Sequence, residues 1–234
     1  MLFVVTIVVA FCSMTYELLL GQALSAFLGN TLLRYSATIG LYMFSLGFGA
    51  YLVEKRWEKS PLSSLLIVEL ALAVLGGMCI AALHLLNLIG NPLLFSLAAH
   101  GLIVLIGTLS GFELPLLIAI GVQLREMDAS YAERIVLSAS YIGAFIATIV
   151  FAFWFYPLAG VTSTAFGTAS INAMAGMYLG VLFYRSSVGS RKYLALHFCL
   201  LMVFVAAWVN GKAINDIFVS EYLSAGTANQ ASHH

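Results

Sequence analysis

Three carboxylic acids lie deep inside long apolar stretches of this chain: Glu17, Glu69 and Glu113. An ionised carboxylate in the hydrocarbon core of a bilayer costs several kcal/mol, so such residues usually face a protein interior and mark a ligand, ion or proton site. No lysine or arginine lies deep in any of these stretches. Each acid is therefore expected to be either protonated and neutral, or ionised beside a cationic ligand.

Tyrosine and asparagine residues accompany the acids in stretches of the same kind. Tyrosine rings attract cations and their hydroxyls accept hydrogen bonds, so acids and tyrosines (Tyr42 among them) together would suit an elongated amine. We predict a ligand-binding set of six residues: Glu17, Glu69, Glu113, Tyr16, Tyr141 and Asn172. The alternative is that each glutamate is protonated and hydrogen-bonded to a neighbouring helix.

Histidine and cysteine give no indication of a metal site or of disulfides. His84, His100 and His197 are too far apart in the sequence to show metal-ligand spacing, and they are interpreted as interfacial or packed residues. The three cysteines all fall in apolar stretches and are interpreted as small hydrophobic side chains. We predict no metal, no cofactor and no catalytic residue in these 234 residues.

The composition is that of a polytopic membrane protein. Of the residues, 62% are hydrophobic and 9% are charged, whereas a soluble domain carries about 25% charged residues. The formal net charge is zero, which argues against nucleic acid as a partner. The expected partner is the lipid bilayer.

The apolar stretches predict an all-α fold, a bundle of seven transmembrane helices over residues 1–216. About 20 apolar residues cross a bilayer core, and by that measure the predicted spans are Leu2–Leu28, Ser36–Val53, Leu62–Leu86, Leu93–Val122, Ile135–Phe155, Ser163–Tyr184 and Leu194–Ile214. Residues 217–230 are predicted to form a C-terminal tail. Residues 231–234 end in two histidines and are interpreted as the remnant of an affinity tag.

Basic residues predict the orientation of the bundle, because cytoplasmic loops carry most lysine and arginine. Eight basic residues lie in the loops that follow the second, fourth and sixth spans: Lys55, Arg56, Lys59, Arg125, Arg134, Arg185, Arg191 and Lys192. On the opposite side of the membrane there are only Arg34 and Lys212. The N-terminus is therefore predicted to be cytoplasmic and the C-terminus to lie outside.

Polar and small residues recur at intervals of four, which places them on one helix face, and such faces should point inward because lipid offers them no partner. The rows are Ser13/Glu17/Gly21/Ser25, Glu69/Ala73/Gly77, Ser140/Ala144/Thr148 and Thr164/Thr168/Asn172/Gly176/Gly180. Glu69 and Glu113 lie at similar depth in the inner half of the bilayer, so we predict that they share one cavity. Pro115 is predicted to break the helix just after Glu113, because proline lacks the amide donor.

Several local motifs resemble the membrane domain of the integral-membrane spermidine synthase-like proteins. They begin with Tyr16-Glu17-Leu18-Leu19 and continue in matching order to Asn172. The others are Ser25-Ala26-Phe27-Leu28-Gly29-Asn30-Thr31, Gly40-Leu41-Tyr42-Met43, Gly111-Phe112-Glu113-Leu114-Pro115-Leu116-Leu117, Ser140-Tyr141-Ile142-Gly143-Ala144 and Tyr156-Pro157-Leu158-Ala159-Gly160. The chain departs from the family at Ser140, where an aspartate is frequent, so span five contributes no acid.

The resemblance implies a parent protein in the bacterial inner membrane, whose soluble aminopropyltransferase domain follows the membrane domain. This chain has no glycine-rich loop after a strand and no following αβ pattern. We therefore expect it either to be cut after span seven or to be a stand-alone homologue, and in either case not to catalyse aminopropyl transfer itself. A cytosolic nucleoside substrate would require the soluble domain inside, whereas seven spans place the C-terminus outside, and the sequence leaves this conflict open.

Three functions remain for comparison with the structure. The leading one is a membrane domain that binds or conducts a polyamine, or anchors a polyamine-making enzyme, with a homo-oligomer as a possible state. The second is a purely structural anchor or dimerisation module without a ligand. The third, a retinal protein, would need a lysine in the middle of span seven, and Lys212 lies at its outer end.

Overall fold

The described part of the chain is all-helical and contains no strand. A computed structural model describes residues 1–29, 31–53, 57, 59–182 and 190–217. Seven long α-helices and one π-helical segment account for most of these residues: α1 Leu2–Leu28, α2 Thr31–Leu52, α3 Pro61–Leu88, α4 Pro92–Arg125, α5 Ala129–Val150, the π-helical segment Phe151–Ala159, α6 Gly160–Leu182 and α7 Ser190–Val209. The predicted tail beyond residue 217, the tag-like end and the basic residues 55, 56 and 185 lie outside the described residues.

The all-α fold class is confirmed, and five stretches are long and apolar enough to cross a membrane. Within the described residues these stretches are Leu2–Leu28, Pro61–Leu88, Pro92–Gln123, Ala129–Leu182 and Arg191–Val209. The fourth has 54 residues and contains α5, the π-helical segment and α6. Helix α2, which carries Arg34 and several glycines, serines and tyrosines, is not among the five. The predicted count of seven spans therefore stays a prediction.

Helix α1 lies at the centre of the bundle. It contacts α2, α3, α4, α5 and α6, while α2 packs mainly on α4, and α7 packs mainly on α6. Its buried positions occur on all sides, from Leu2 and Val5 to Leu20 and Leu24. A helix that is apolar all round is expected to be enclosed by others. Its few polar residues consequently face protein on every side.

Glycines allow the closest helix contacts. A Cβ at Gly111 would overlap the backbone carbonyl of Leu46, and one at Gly49 would overlap the backbone of Thr108. Helices α2 and α4 therefore approach each other to backbone contact, as small residues permit in membrane bundles. A side chain at either position would separate the two helices.

The predicted helix break after Glu113 is wrong. Helix α4 runs without interruption from Pro92 to Arg125 with Pro115 inside it. Proline removes only one backbone hydrogen bond, to the carbonyl of Gly111, and neighbouring helices stabilise the rest of the ladder. The connection predicted between Phe155 and Ser163 is also helical.

The connection between α5 and α6 is a π-helix over Phe151–Ala159. Pro157 lies within it and has no amide hydrogen to donate. The segment ends at Gly160, where φ is 73°, a left-handed value that glycine adopts without steric cost. The chain can therefore change direction there while remaining helical on both sides.

Candidate functional site

A cavity of about 270 Å³ lies between α1, α2, α4 and α5 and contains two of the three acids, Glu17 and Glu113. We call it the Glu17–Glu113 cavity. The rest of its wall is mainly apolar, with a few hydroxyl groups: Thr6, Val9, Ala10, Ser13, Met14, Tyr42, Met43, Leu46, Ser110, Leu114, Leu117, Leu137, Ser140, Tyr141 and Ala144.

The two acids of the cavity differ in their hydrogen bonds. The hydroxyl of Ser13 donates to Glu113 Oε2 at 2.7 Å. Glu17 Oε1 is buried and has no hydrogen-bond partner among the described residues. Ser13 precedes Glu17 by one helical turn on α1, so its bond to Glu113 joins that acid to the same helix that carries Glu17. The cavity thus contains two carboxyl groups, one from α1 and one from α4.

Tyr42 of α2 also lines the cavity and connects α2 to α1 and α4. Its hydroxyl donates to the carbonyl oxygen of Ser13 at 3.0 Å and lies 2.9 Å from the hydroxyl of Ser110, which then acts as the donor. Both side chains are buried. Ser110 is a residue that the sequence interpretation missed, although it lies three positions before Glu113 and so shares its helix face.

Tyr141 lies at the edge of the cavity and is 75% exposed. Ser140 also lines the cavity, but its hydroxyl donates to the carbonyl oxygen of Val136 in its own helix at 2.9 Å. The predicted inward row on α5 is wrong at its last member, because Thr148 is exposed. Its hydroxyl donates to the carbonyl oxygen of Ala144 at 2.9 Å, and this bond within the helix removes the need for an interior partner.

The third acid belongs to a separate group, which we call the Glu69 cluster: Tyr16 of α1, Glu69 of α3 and Asn172 of α6. All three residues have no exposed surface. The side-chain nitrogen of Asn172 donates to the backbone carbonyl oxygen of Glu69 at 3.4 Å. Tyr16 interacts with both of the others, and its ring packs so closely on Gly76 that a Cβ there would overlap it.

Four oxygen atoms of the Glu69 cluster have no hydrogen-bond partner within the part of the chain that the structure describes. They are the Tyr16 hydroxyl, both carboxyl oxygens of Glu69 and Oδ1 of Asn172. A buried polar atom without a partner costs about 1–3 kcal/mol. These four oxygens together therefore lower the free energy of unfolding unless another group contacts them.

The two groups are neighbours but do not share the cavity. Glu69 and Glu113 interact electrostatically, and the buried thiol of Cys12 interacts with both. Glu69 does not line the cavity, however, and Glu113 shares it with Glu17 instead. The interaction between Glu69 and Glu113 agrees with their predicted closeness, whereas similar depth gives the height of a residue on a helix but not the direction in which it points.

A hydrogen-bonded chain beyond Glu17 was also missed. The side-chain nitrogen of Gln22 donates to the hydroxyl of Tyr156 at 2.6 Å, and the hydroxyl of Tyr35 donates to the side-chain oxygen of Gln22 at 2.5 Å. These contacts connect α1 to α2 and to the π-helical segment. The sequence did contain a signal for this chain, because Gln22 is an amide side chain inside an apolar stretch.

His197 and His84 pack against neighbouring residues. His197 is buried between α7 and α6, where its ring lies against Gly176 and its Nδ1 is 2.9 Å from the carbonyl oxygen of Tyr193. The ring of His84 lies edge-on to Phe27 at 5.1 Å. Within residues 1–29, 31–53, 57, 59–182 and 190–217, no three His, Cys, Asp or Glu side chains are grouped to hold a metal ion.

Sequence comparison relates the chain to bacterial polyamine aminopropyltransferases. It is 34% identical to the polyamine aminopropyltransferase of Leptospira interrogans over 177 residues, which is 76% of this chain and 34% of that protein. It is 32% identical to polyamine aminopropyltransferase 2 of Ralstonia nicotianae over 161 residues, 68% of this chain and 31% of the relative. Polyamine aminopropyltransferase 1 of Streptomyces coelicolor is 29% identical over 180 residues, 77% of this chain and 33% of the relative.

The chain thus spans about a third of the length of the curated relatives that it matches. No family model matches the chain. No solved structure matches it either.

Proposed function

We propose that this chain is the membrane-spanning part of a spermidine synthase-like protein and that it binds a polyamine in the Glu17–Glu113 cavity. The observation that carries the proposal is the pairing of two buried acids in one mainly apolar cavity. The similarity to proteins named polyamine aminopropyltransferases supports the choice of ligand. The five membrane-length apolar stretches support a place in the membrane.

A polyamine has the chemistry that this cavity would recognise. Its ammonium groups would pair with Glu17 and Glu113, and its methylene segments would contact residues such as Met14, Leu114 and Leu117. Two carboxyl groups from different helices in one cavity suit two amines separated by a short carbon chain. Tyr141, at the exposed edge, would contact an amine through its ring.

We propose further that the bundle crosses a bacterial inner membrane seven times, with the C-terminus outside. In this view aminopropyl transfer takes place in a part of the parent protein outside these 234 residues, and the chain holds or conducts polyamine, or anchors the synthase. Alkaline phosphatase fused after residue 217 should be active. An inactive phosphatase, with fluorescence from a green fluorescent protein at the same position, would contradict the predicted topology.

Binding should be weak and should depend on pH. The acids attract a dication or trication, but their desolvation cancels much of the gain, so we expect a Kd from about 1 μM to about 1 mM. Lowering the pH protonates the acids while the amines stay charged. Affinity should therefore fall as the pH falls.

Calorimetric titration of the purified protein with spermidine and with putrescine tests the proposal. Glu17→Gln and Glu113→Gln should each weaken binding about tenfold or more, a change of about 1.4 kcal/mol. Glu133→Gln is the matched control, because Glu133 is exposed on α5 and does not line the cavity. If the wild-type protein binds neither amine, or if both cavity variants bind as the wild type does, the chain is better described as a structural anchor.

A further inference from the structure

We propose that the Glu17–Glu113 cavity opens sideways to the lipid between α2 and α5 and takes an amine that carries an alkyl chain. This inference rests on the proposed binding of an amine by the two acids, and it adds the class of the amine and its route of entry. Among the residues that line the cavity, the exposed ones are Met43 of α2, at 50%, and Tyr141 of α5, at 75%. Glu17 and Glu113 are buried. The cavity therefore reaches the surface beside Met43 and Tyr141, and its acids lie inside.

The packing of the helices accounts for an opening at this place. Helices α2 and α5 each pack on α1 and on α4, whereas the described residues form no extensive contact between α2 and α5 themselves. The acids come from α1 and α4, the two helices that α2 and α5 share as neighbours. A ligand that passes between α2 and α5 would therefore meet both carboxyl groups.

The opening lies near the middle of both helices. Met43 precedes the end of α2 at Leu52, and Tyr141 precedes the end of α5 at Val150, in each case by roughly 13 Å along the helix axis. Both residues are still farther from the first residue of their helix. Tyr141 also belongs to the membrane-length stretch Ala129–Leu182. Because a bilayer core is about 30 Å thick, an opening at this height faces acyl chains rather than water.

The protein surface beside the opening is apolar. Phe44 of α2 is 69% exposed and Phe145 of α5 is 65% exposed. The charged residues of the two helices lie near their first residues: Arg34 on α2, and Glu133 and Arg134 on α5. The middle of each helix thus offers hydrocarbon side chains to lipid, and charge is found only inside the cavity.

The ligand has to suit both the opening and the acids. A free polyamine would have to bring several charged groups through hydrocarbon to reach an opening at this height, which is costly. An amine joined to an alkyl chain already resides in the bilayer. Its chain can stay among the acyl chains outside Met43 and Tyr141, while its ammonium groups pair with Glu17 and Glu113. The ring of Tyr141 would attract the ammonium group at the opening.

Photolabelling of the full chain in phosphatidylcholine nanodiscs tests this route. The probe is N-dodecylputrescine with a diazirine on its alkyl chain close to the amine, and the control probe has a hydroxyl in place of the diamine. Peptide mapping by mass spectrometry should show the diamine probe enriched several-fold over the alcohol on the middle of α2 and α5. An excess of unlabelled N-dodecylputrescine should suppress this enrichment.

Two kinds of variant make the test specific. Glu17→Gln and Glu113→Gln should each lower the enrichment at least several-fold, whereas Glu133→Gln should keep it. Ala144→Phe leaves both acids in place and fills space beside the opening, because Ala144 lines the cavity one turn from Tyr141. It should also lower the enrichment several-fold. Ala206→Phe is its matched control, since it adds the same side chain at an exposed position on α7.

The proposal is overturned if the diamine probe labels α2 and α5 no more than the alcohol does. It is also overturned if both acid variants, or Ala144→Phe, are labelled as the wild type is. Calorimetry with putrescine separates this failure from that of the proposed function. Putrescine binding without acid-dependent photolabelling overturns only the lateral route and the alkyl chain, whereas the absence of both overturns the proposed function as well.

Discussion

The Glu17–Glu113 cavity and the Glu69 cluster are built on different sides of the same helix. Ser13 and Glu17 of α1 face the cavity, whereas Cys12 and Tyr16 face α3 and α6. Adjacent residues on a helix point about 100° apart. The pair Ser13/Glu17 and the pair Cys12/Tyr16 therefore lie in two different environments, although they are only one residue apart in the sequence. A polar residue moved by one position along α1 would change from one environment to the other.

The two regions also differ in access. The cavity has a side chain at its edge that is 75% exposed, Tyr141. The Glu69 cluster has no exposed residue, and one side is closed by contact between Tyr16 and the backbone of Gly76. Changes in the cavity should therefore alter ligand binding, whereas changes around the cluster should alter stability.

The largest effect is expected for Gly76→Ala. The new Cβ would overlap the Tyr16 ring, which is buried and cannot move without repacking α1 against α3. We expect a loss of about 1–3 kcal/mol in the free energy of unfolding, as overpacking causes. Gly47→Ala is the control, since Gly47 has open space around it, and alanine should be neutral or favourable by up to about 1 kcal/mol. Equal stability of Gly76→Ala and wild type in a thermal unfolding assay would contradict the closed cluster.

A somewhat smaller effect on stability is expected for Tyr42→Phe. The substitution removes the hydroxyl that bonds to the Ser13 carbonyl and to Ser110, at a cost of about 1 kcal/mol. Tyr131→Phe is the control, because Tyr131 is half exposed on α5. If the two variants unfold at the same temperature, Tyr42 does not stabilise the wall of the cavity.

Ser13→Ala should reduce polyamine affinity without unfolding the protein. Ser13 donates to Glu113, and loss of a donor disfavours the ionised carboxylate that an amine requires. We expect a loss of about two- to tenfold, corresponding to about 0.5–1.5 kcal/mol. Ser140→Ala provides a control within the same cavity, because the Ser140 hydroxyl already bonds to its own helix. Calorimetry should separate the two variants, and equal affinities would remove Ser13 from the site.

The smallest effect is expected at the edge of the cavity. Tyr141→Phe keeps the ring and removes only an exposed hydroxyl, so polyamine affinity should change by less than about twofold. Tyr141→Leu removes the ring and should cost about 0.5–1 kcal/mol, the contribution of an exposed cation–π contact. If Tyr141→Phe has the greater effect in the same titration, the hydroxyl rather than the ring contacts the ligand.

The sequence predicted the position of a helix correctly where the length of an apolar stretch determines it. The bounds predicted for the first span, Leu2 and Leu28, are those of α1. Helix α4 instead continues from the predicted end at Val122 to Arg125, before the left-handed Glu126. Polarity indicates where a hydrocarbon environment would end, whereas backbone hydrogen bonding determines where a helix ends.

The sequence predicted the burial of individual polar residues better than it predicted which of them lie together in one cavity. The burial of Glu17, Glu69 and Asn172 agrees with rows that point inward, and Glu113 and Tyr16 are buried as well. That Glu17 and Glu113 line the described cavity while Glu69 does not depends on the rotation of α3 and α4 about their axes, and tertiary contacts set that rotation. The π-helical segment was not predicted either, because the local signals, Pro157 and Gly160, equally favour a turn.

A thermal-shift experiment with spermidine tests the separation of the two regions most directly. The wild type, Glu113→Gln and Glu69→Gln are unfolded with and without spermidine. We predict that Glu113→Gln loses the stabilisation by spermidine, while Glu69→Gln keeps it because Glu69 does not line the cavity. If Glu69→Gln loses this stabilisation as well, or if Glu113→Gln keeps it, the two regions do not have separate functions.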